Sequence, residues 1–558
     1  MKIRLLFLLP LAIAPFSLSA AEIPSAPKSP PRLAVVISID QFRADYLERF
    51  RPYFGEGGFK RLLQGGADYR NCFYRHAVTT TAPGHATILS GVHANIHGIT
   101  ANDWLDRDTW EATSNVEDRD SPLVGLPAEL VFPVLRTPKA GRSPKNFQAT
   151  TVGDQLKIRF GGNSKVFAAS NKDRSAILLG GKLADGAYWD ENGAFVTSRY
   201  YRNELPAWIA AFNEEHRSEK AFNSTWERLL EPAVYDAVQG PDDAPGESAE
   251  NGLTRTFPKK FNGGTPGISQ RFYAALEMAP ITSVILGEFA QTAVREEKLG
   301  KHSATDLLCV SFSQIDAVGH SYGPDSHELM DAILRLDRVI ADLLDCLDRE
   351  VGLKNCIVVV TADHGVSPLP ERVQALRPSI PAGRINVAAF NATAQRALDA
   401  AFGVLTKDEY WFIREGLGYH LNPQTLAAKK IRADDAARVL QAAMLTIPMV
   451  AQVYTRAEIL AAPPEGDSLL AAVRRSYYSP RDRDVVLILK PYFFERSPAG
   501  ATHGSPYDYD QHVPQLWFGA GVSPGVHPER VGVDDIAPTL AAQLGVPTPP
   551  QAQGRELF

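Results

Sequence analysis

The chain is poor in cysteine, with four in 558 residues. That is too few for a disulfide scaffold. Cys309 and Cys356 lie in apolar runs, where a thiol behaves as a small buried hydrophobe. A bridge between Cys346 and Cys356 is left open by the sequence. A large excess of one sign of charge is missing too. With 58 Lys and Arg against 64 Asp and Glu, the formal net charge of −6 gives no reason to expect a basic surface, so no nucleic-acid partner is expected. Beyond Ala21 no apolar run is long enough to make a membrane-spanning helix. Internal repeats and low-complexity blocks are also missing, which excludes solenoid and fibrous architectures.

What is present begins at the N-terminus. Lys2 and Arg4 precede the apolar run from Leu5 to Leu18, and Ser19-Ala20-Ala21 follow. This charged, apolar, small-residue order is that of a secretory leader, so residues 1–21 read as a signal peptide. No cysteine follows the apolar run, so no lipid anchor is indicated. The product is expected to be exported, periplasmic if the source is Gram-negative, with no stable membrane insertion once the leader is removed. The proline-rich stretch 22–32 reads as a flexible mature N-terminus. Residues 33–558 read as one monomeric domain with surface excursions at about 200–275 and 370–480.

A continuous β-branched run at 33–39 and largely apolar runs at 306–313 and 356–361 are those of strands buried on both faces of a parallel sheet. Similar runs at 165–169, 485–489 and 515–518 alternate with helical patterns over 42–63, 281–298, 326–349 and 535–544. The alternation predicts a three-layer α/β/α sandwich around a mostly parallel central sheet, with inserted cap segments. Residues 105–150 show no clear periodicity.

The stretch Thr79-Thr80-Thr81-Ala82-Pro83-Gly84-His85 ends a β-like run and opens a helix expected over 84–90. Thr81 would lie at that helix N-terminus, where free N–H groups and the dipole favour an anion. Taken alone, a threonine there is a cap. The Asp and His residues elsewhere change that reading. Asp40, Asp316, Asp363 and His364 each lie at or just past the C-terminal end of a predicted buried strand, the edge where open α/β sheets bind ligands. Three carboxylates crowded there repel one another unless a cation is present. Asp316 and His320 are spaced to hold one ion, and Asp with His is a ligand set for zinc. His503 lies in a Gly-Thr-Pro loop, and Lys172 and Arg174 follow another strand into the same edge. Asn102 reads equally as a turn cap or a ligand. His85, His93 and His97 flank the Thr81 helix and read as structural hydrogen-bonding groups.

Ser38-Ile39-Asp40, Thr81-Ala-Pro-Gly-His85, Asp316-x-x-x-His320, Thr361-Ala-Asp363-His364-Gly and Thr502-His503-Gly, in that order, resemble the alkaline phosphatase superfamily. Within it they are most similar to the type I phosphodiesterase/nucleotide pyrophosphatase group, which has a threonine nucleophile. Asn102 and Ser170-Asn-Lys172-Asp-Arg174 further resemble the phosphate-irrepressible, PafA-like bacterial alkaline phosphatases. The resemblance covers the core from Asp40 to His503, and neither excursion. It implies a catalytic domain with two zinc ions. Asp316, His320 and His503 would hold one; Asp40, Asp363, His364 and the nucleophile Thr81 would hold the other. Asn102, Lys172 and Arg174 would bind the phosphoryl oxygens. The implied activity is hydrolysis of small-molecule phosphate monoesters through a phosphothreonine intermediate. The alternatives are a phosphodiesterase or nucleotide pyrophosphatase with the same site, and a non-catalytic zinc- or phosphate-binding protein.

Overall fold

The structure, a computed structural model, describes residues 29–131, 141–463, 465–496 and 498–558. The expected signal peptide and most of the 22–32 stretch lie outside the described residues. Within that stretch, Arg32 is already tied to the sheet edge, its N–H donating to the Asn355 carbonyl at 2.8 Å.

An eleven-stranded sheet carries the fold. Its strands are β1 (Leu33–Ile39), β2 (Ala67–Phe73), β3 (Leu123–Val124), β4 (Val166–Ser170), β5 (Gly186–Glu191), β6 (Ala194–Ser198), β7 (Asp306–Phe312), β8 (Cys356–Thr361), β9 (His512–Val513), β10 (Gln515–Gly519) and β11 (Gly525–Gly532). They lie in the order β9-β2-β10-β8-β1-β7-β4-β5-β6-β3, with β11 paired to β2. The central run β8-β1-β7-β4-β5 is parallel, and the flanks at β10 and β6 are antiparallel. β1, β7 and β8 are buried along their whole length, as expected where helices cover both faces.

Two groups of helices supply that cover. Thr81–Ser90 (α1), Val152–Phe160, Asp173–Gly180 and Ile536–Leu544 pack on one another, as do Pro280–Glu296, Gln314–Tyr322 (α2) and His327–Glu350 (α3) in the second group. Both groups touch β4. The result is a three-layer sandwich.

Three local expectations change. The pattern at 42–63 is two short helices, Asp45–Arg49 and Phe59–Gly65, joined through a 3-10 turn at Arg51–Tyr53. The buried Asp337 carboxylate accepts the Gly55 and Phe59 N–H groups. A Cβ at Gly58 would clash with that carboxylate, so the chain bends closely around it. The run 485–489 is a strand of a separate four-stranded sheet. Val485, Leu487 and Leu489 belong to a second hydrophobic core built by residues 385–489, while Val486 and Ile488 pack into a third. Both faces are thus buried, by different neighbours. Lastly, α1 begins at Thr81 rather than Gly84, and it closes at Gly91 in the left-handed conformation, the usual glycine stop. Cys346 and Cys356 are both buried free thiols.

Candidate active site and metal centre

The C-terminal ends of β8, β1, β7 and β4 lie side by side, with Ser38 level with Thr361 and Ser311, and Ser311 level with Ser170. Each strand hands over to a chemistry-bearing residue. Asp40 follows β1, Asp363 lies two residues past β8, Asp316 is in the first turn of α2 with His320 one turn on, and Lys172 lies two residues past β4. His503 arrives on the 500–506 loop. That loop is held by the Ala501 N–H on the His320 carbonyl (2.8 Å) and by the Gly500 N–H on the Gly246 carbonyl (2.7 Å).

The side-chain atoms converge. His320 Nε2 lies 3.3 Å from both Asp316 Oδ1 and His503 Nε2, and His503 Nε2 is 3.6 Å from Asp316 Oδ1. His364 Nε2 is 3.4 Å from Asp40 Oδ1 and 3.5 Å from Asp363 Oδ2. The His364 and His503 rings stack at 3.6 Å between centroids, so the two triads adjoin. In each ring Nδ1 faces a backbone carbonyl: Ala501 for His320, Thr79 for His503 and Gly365 for His364. A carbonyl only accepts, so each Nδ1 carries the proton. Burial lowers the pKa of His503, and that of His364 to about 3, so in these neutral rings Nε2 presents a bare lone pair. This is how histidine is held for a metal ion.

The carboxylates are in conflict without a cation. Burial, reinforced by Asp316 and Asp363, pushes Asp40 well above the usual range. Burial acts the same way on Asp316 and Asp363, but the Lys172 ammonium overcomes it at the first, and His85 together with Lys172 at the second. Asp40 Oδ1, Asp363 Oδ2 and His364 Nε2 are buried and make no hydrogen bond. These three residues bring ligand atoms within 4.8 Å of one another. Orphaned buried oxygens and an imidazole lone pair, so grouped, fit a bound metal ion by their chemistry. The Asp316, His320 and His503 atoms fit a second. Asp316 and His503 also group with His364, which ties the two triads together.

Lys172 Nζ donates to Asp40 Oδ2 (2.7 Å) and Asp316 Oδ2 (2.5 Å), and is thus engaged by two expected ligands. Arg174 is a quarter exposed, its Nε is buried without a hydrogen-bond partner, and it shares with Lys172 the wall of a cavity of about 270 Å³. Thr81 is buried as the first residue of α1; the cap position belongs to Thr80. Asn102 Oδ1 accepts the Ala82 N–H at 2.9 Å. The amide thus caps this helix from outside and still has its NH₂ arm.

Several contributors carry no signal in the sequence beside them. Gln41 has a left-handed backbone, a strained conformation for a side chain of its size. In return its N–H donates to Asp363 Oδ1 (3.1 Å) and its Nε2 to Asp316 Oδ1 (2.7 Å). Tyr74 donates to the Ala362 carbonyl (2.9 Å) beneath the site. His85, expected to be structural, bridges the Thr81 carbonyl and the Ser311 hydroxyl, both at 2.8 Å, and lies 3.1 Å from Asp363 Oδ2.

Known proteins are similar to this chain along most of its length. The chain is 33% identical to the alkaline phosphatase PhoV of Synechococcus elongatus over 94% of this chain and 92% of the other. It is 32% identical to the alkaline phosphatase PafA of Elizabethkingia meningoseptica over 94% of each. It superposes on the crystal structure of wild-type PafA with a TM-score of 0.85 and 30% identity, covering 95% of this chain and 98% of that one. Residues 34–494 match the model of one family, and with these relatives spanning nearly the full length, the chain belongs to the type I phosphodiesterase / nucleotide pyrophosphatase family.

Proposed function

We propose that this chain is an exported alkaline phosphatase, a zinc-dependent phosphomonoesterase that works through a phosphothreonine intermediate on Thr81. The observation that carries the reading is the convergence of three buried carboxylates and three histidine Nε2 atoms, joined to the start of α1 by His85, which bonds the Thr81 carbonyl and lies 3.1 Å from Asp363. The relatives named above are alkaline phosphatases, which supports hydrolysis of phosphate esters. Asp316, His320 and His503 would hold one zinc ion, and Asp40, Asp363, His364 and Thr81 the other. When bound, zinc supplies Lewis-acid activation of a hydroxyl and neutralises charge on the departing oxygen.

The remaining chemistry belongs to the chain. The Thr81 oxygen attacks phosphorus, the bond to the alcohol oxygen breaks, and water then cleaves the phosphothreonine, returning Thr81 and releasing inorganic phosphate. The Thr81 N–H and the dipole of α1 favour the phosphoryl charge; the other donors of the first turn are taken, Ala82's by Asn102 and Gly84's by the Thr80 carbonyl, and Pro83 has none. Asn102, by holding the Ala82 N–H, fixes the angle of that turn and offers its NH₂ arm. Lys172 and Arg174 bind non-bridging oxygens. The leader at 1–21 directs export, to the periplasm in a Gram-negative cell.

The test is turnover of p-nitrophenyl phosphate by purified protein with zinc. Thr81→Ala is expected to lose nearly all turnover while keeping zinc content and the thermal midpoint; wild-type kcat in this variant would place the nucleophile elsewhere. The phosphodiesterase reading draws on the family match. A monoester presents three non-bridging oxygens and a diester two, so cations aimed at the third favour the monoester. Lys172→Ala and Arg174→Ala are each expected to lower monoester kcat/KM by roughly ten- to a hundredfold, the worth of a charge-assisted hydrogen bond. Equal losses on bis-p-nitrophenyl phosphate would move the diesterase reading to first place.

A further inference from the structure

Beside the metal centre lies a cavity of about 270 Å³ that neither triad uses. Its wall is shared with the site at Thr80, Ala101, His503 and Gly504, the neighbours or members of the groups described above. Its other side is made by the second hydrophobic core (Leu417, Leu487, Leu489 and Phe493), by Phe494 next to it, and by Tyr507 of the loop after His503. The cavity is thus apolar and aromatic, and it exceeds the ~150 Å³ that admits a benzene ring. Its charged neighbours are already engaged. Arg483 donates to Asp482 (2.8 Å), Glu495 pairs with Arg414, and Asp510 Oδ2 accepts the Ser505 N–H (2.8 Å) and hydroxyl (2.6 Å). Thr80 Oγ1 and Asp510 Oδ1 are buried without hydrogen-bond partners among the described residues and present no accessible surface to the cavity.

We propose that this cavity receives the leaving group of the substrate, and that the group it fits is an uncharged aromatic alcohol. The inference rests on the phosphomonoesterase reading and adds the substrate class. An ester whose phosphoryl group lies at Thr81 has its alcohol portion within reach of the His503 wall. An anionic or cationic alcohol would find no unpaired opposite charge exposed to it there, Asp510 Oδ1 being sealed off, and would lose hydration without compensation. An aromatic ring gains contact with Phe493 and Leu417.

The experiment compares 1-naphthyl phosphate with methyl phosphate on zinc-loaded protein, for the wild type, Leu417→Trp (which narrows the cavity) and Phe493→Ala (which removes an aromatic wall). The ratio of kcat/KM, naphthyl over methyl, is expected to fall about tenfold or more in Leu417→Trp, and less in Phe493→Ala, mainly through KM, because burial of one aromatic group is being withheld. Calorimetry with 1-naphthol reads the same site without turnover: the wild type binds, and Leu417→Trp does not. An unchanged ratio in both folded variants, or 1-naphthol binding that survives Leu417→Trp, overturns the proposal. Failure of the wild type to hydrolyse either ester would instead overturn the phosphomonoesterase reading, and the leaving-group role with it. 1-Naphthol binding would still report whether the cavity takes an aromatic alcohol.

Discussion

Lys172 does for the crowded carboxylates what a metal ion would do: it sits between Asp40 and Asp316 and bonds to both. Removing one partner of a buried pair typically costs about 3–5 kcal/mol, because the other charges stay buried and unpaired. Lys172→Met is therefore expected to lose about that much stability in chelator-treated protein, measured by urea unfolding, and much less in protein saturated with zinc. A loss of equal size under both conditions would show that Lys172 acts only as a packing element. The comparison separates cation from lysine at the same carboxylates. Gln41 illustrates a different residue-scale role, since its left-handed backbone is held by bonds to Asp363 and Asp316. Gln41→Ala keeps the strained φ and loses the Nε2 bond, so it is expected to lower zinc affinity more than it lowers the melting temperature, as read by competition with a zinc chelator.

At the scale of elements, α1 is placed by close approach. A Cβ at Gly84 would clash with the Asp363 carbonyl oxygen, which is backbone and cannot swing away. Gly84→Ala is expected to cost about 1–3 kcal/mol by overpacking and to lower kcat by pushing Thr81 away from Asp363 and His364. A wild-type kcat in that variant would show that the approach of α1 to β8 is not what positions the nucleophile. This contact is not legible in the sequence, although Gly84 itself belongs to the motif around Thr81. The legible parts are those with a local cause. β1 and β8 can be delimited because a β-branched run ends abruptly at a polar residue, and Asp40, Asp316 and Asp363 stand out because they follow such ends. The bend at 51–58 is hidden because its cause, Asp337, is distant in sequence. The run 485–489 carries the signature of a core strand because it too is covered on both faces, though by other clusters. The role of Gln41 depends on partners 322 and 275 residues away, and nothing beside it announces them.

At the scale of the molecule, the first excursion buries charge of its own. Glu247 lies at 4% exposure near the Lys259–Glu328 pair, and burial, aided by Glu328, pushes its pKa from 4.5 up to about 9. A carboxyl raised in the folded state binds its proton more tightly there than when unfolded. Its contribution is complete below the unfolded value and is lost as pH rises towards the folded one, by at most about 1.4 kcal/mol per pH unit for one proton. Glu247→Gln is expected to flatten the fall in urea midpoint between pH 6 and pH 9; an identical slope in the variant would exclude Glu247 as its source. The spread of the site along the chain has a consequence for synthesis. His503 closes the site by bonding the Thr79 carbonyl across 424 residues. A ribosome delivers Asp40 early and His503 late, so a nascent chain carries the carboxylates long before it can complete either the ring of ligands or the wall behind Thr80. On the proposed two-zinc reading, chemistry is thereby withheld until translation is nearly over, and a chain interrupted before residue 500 would be inert without any inhibitor.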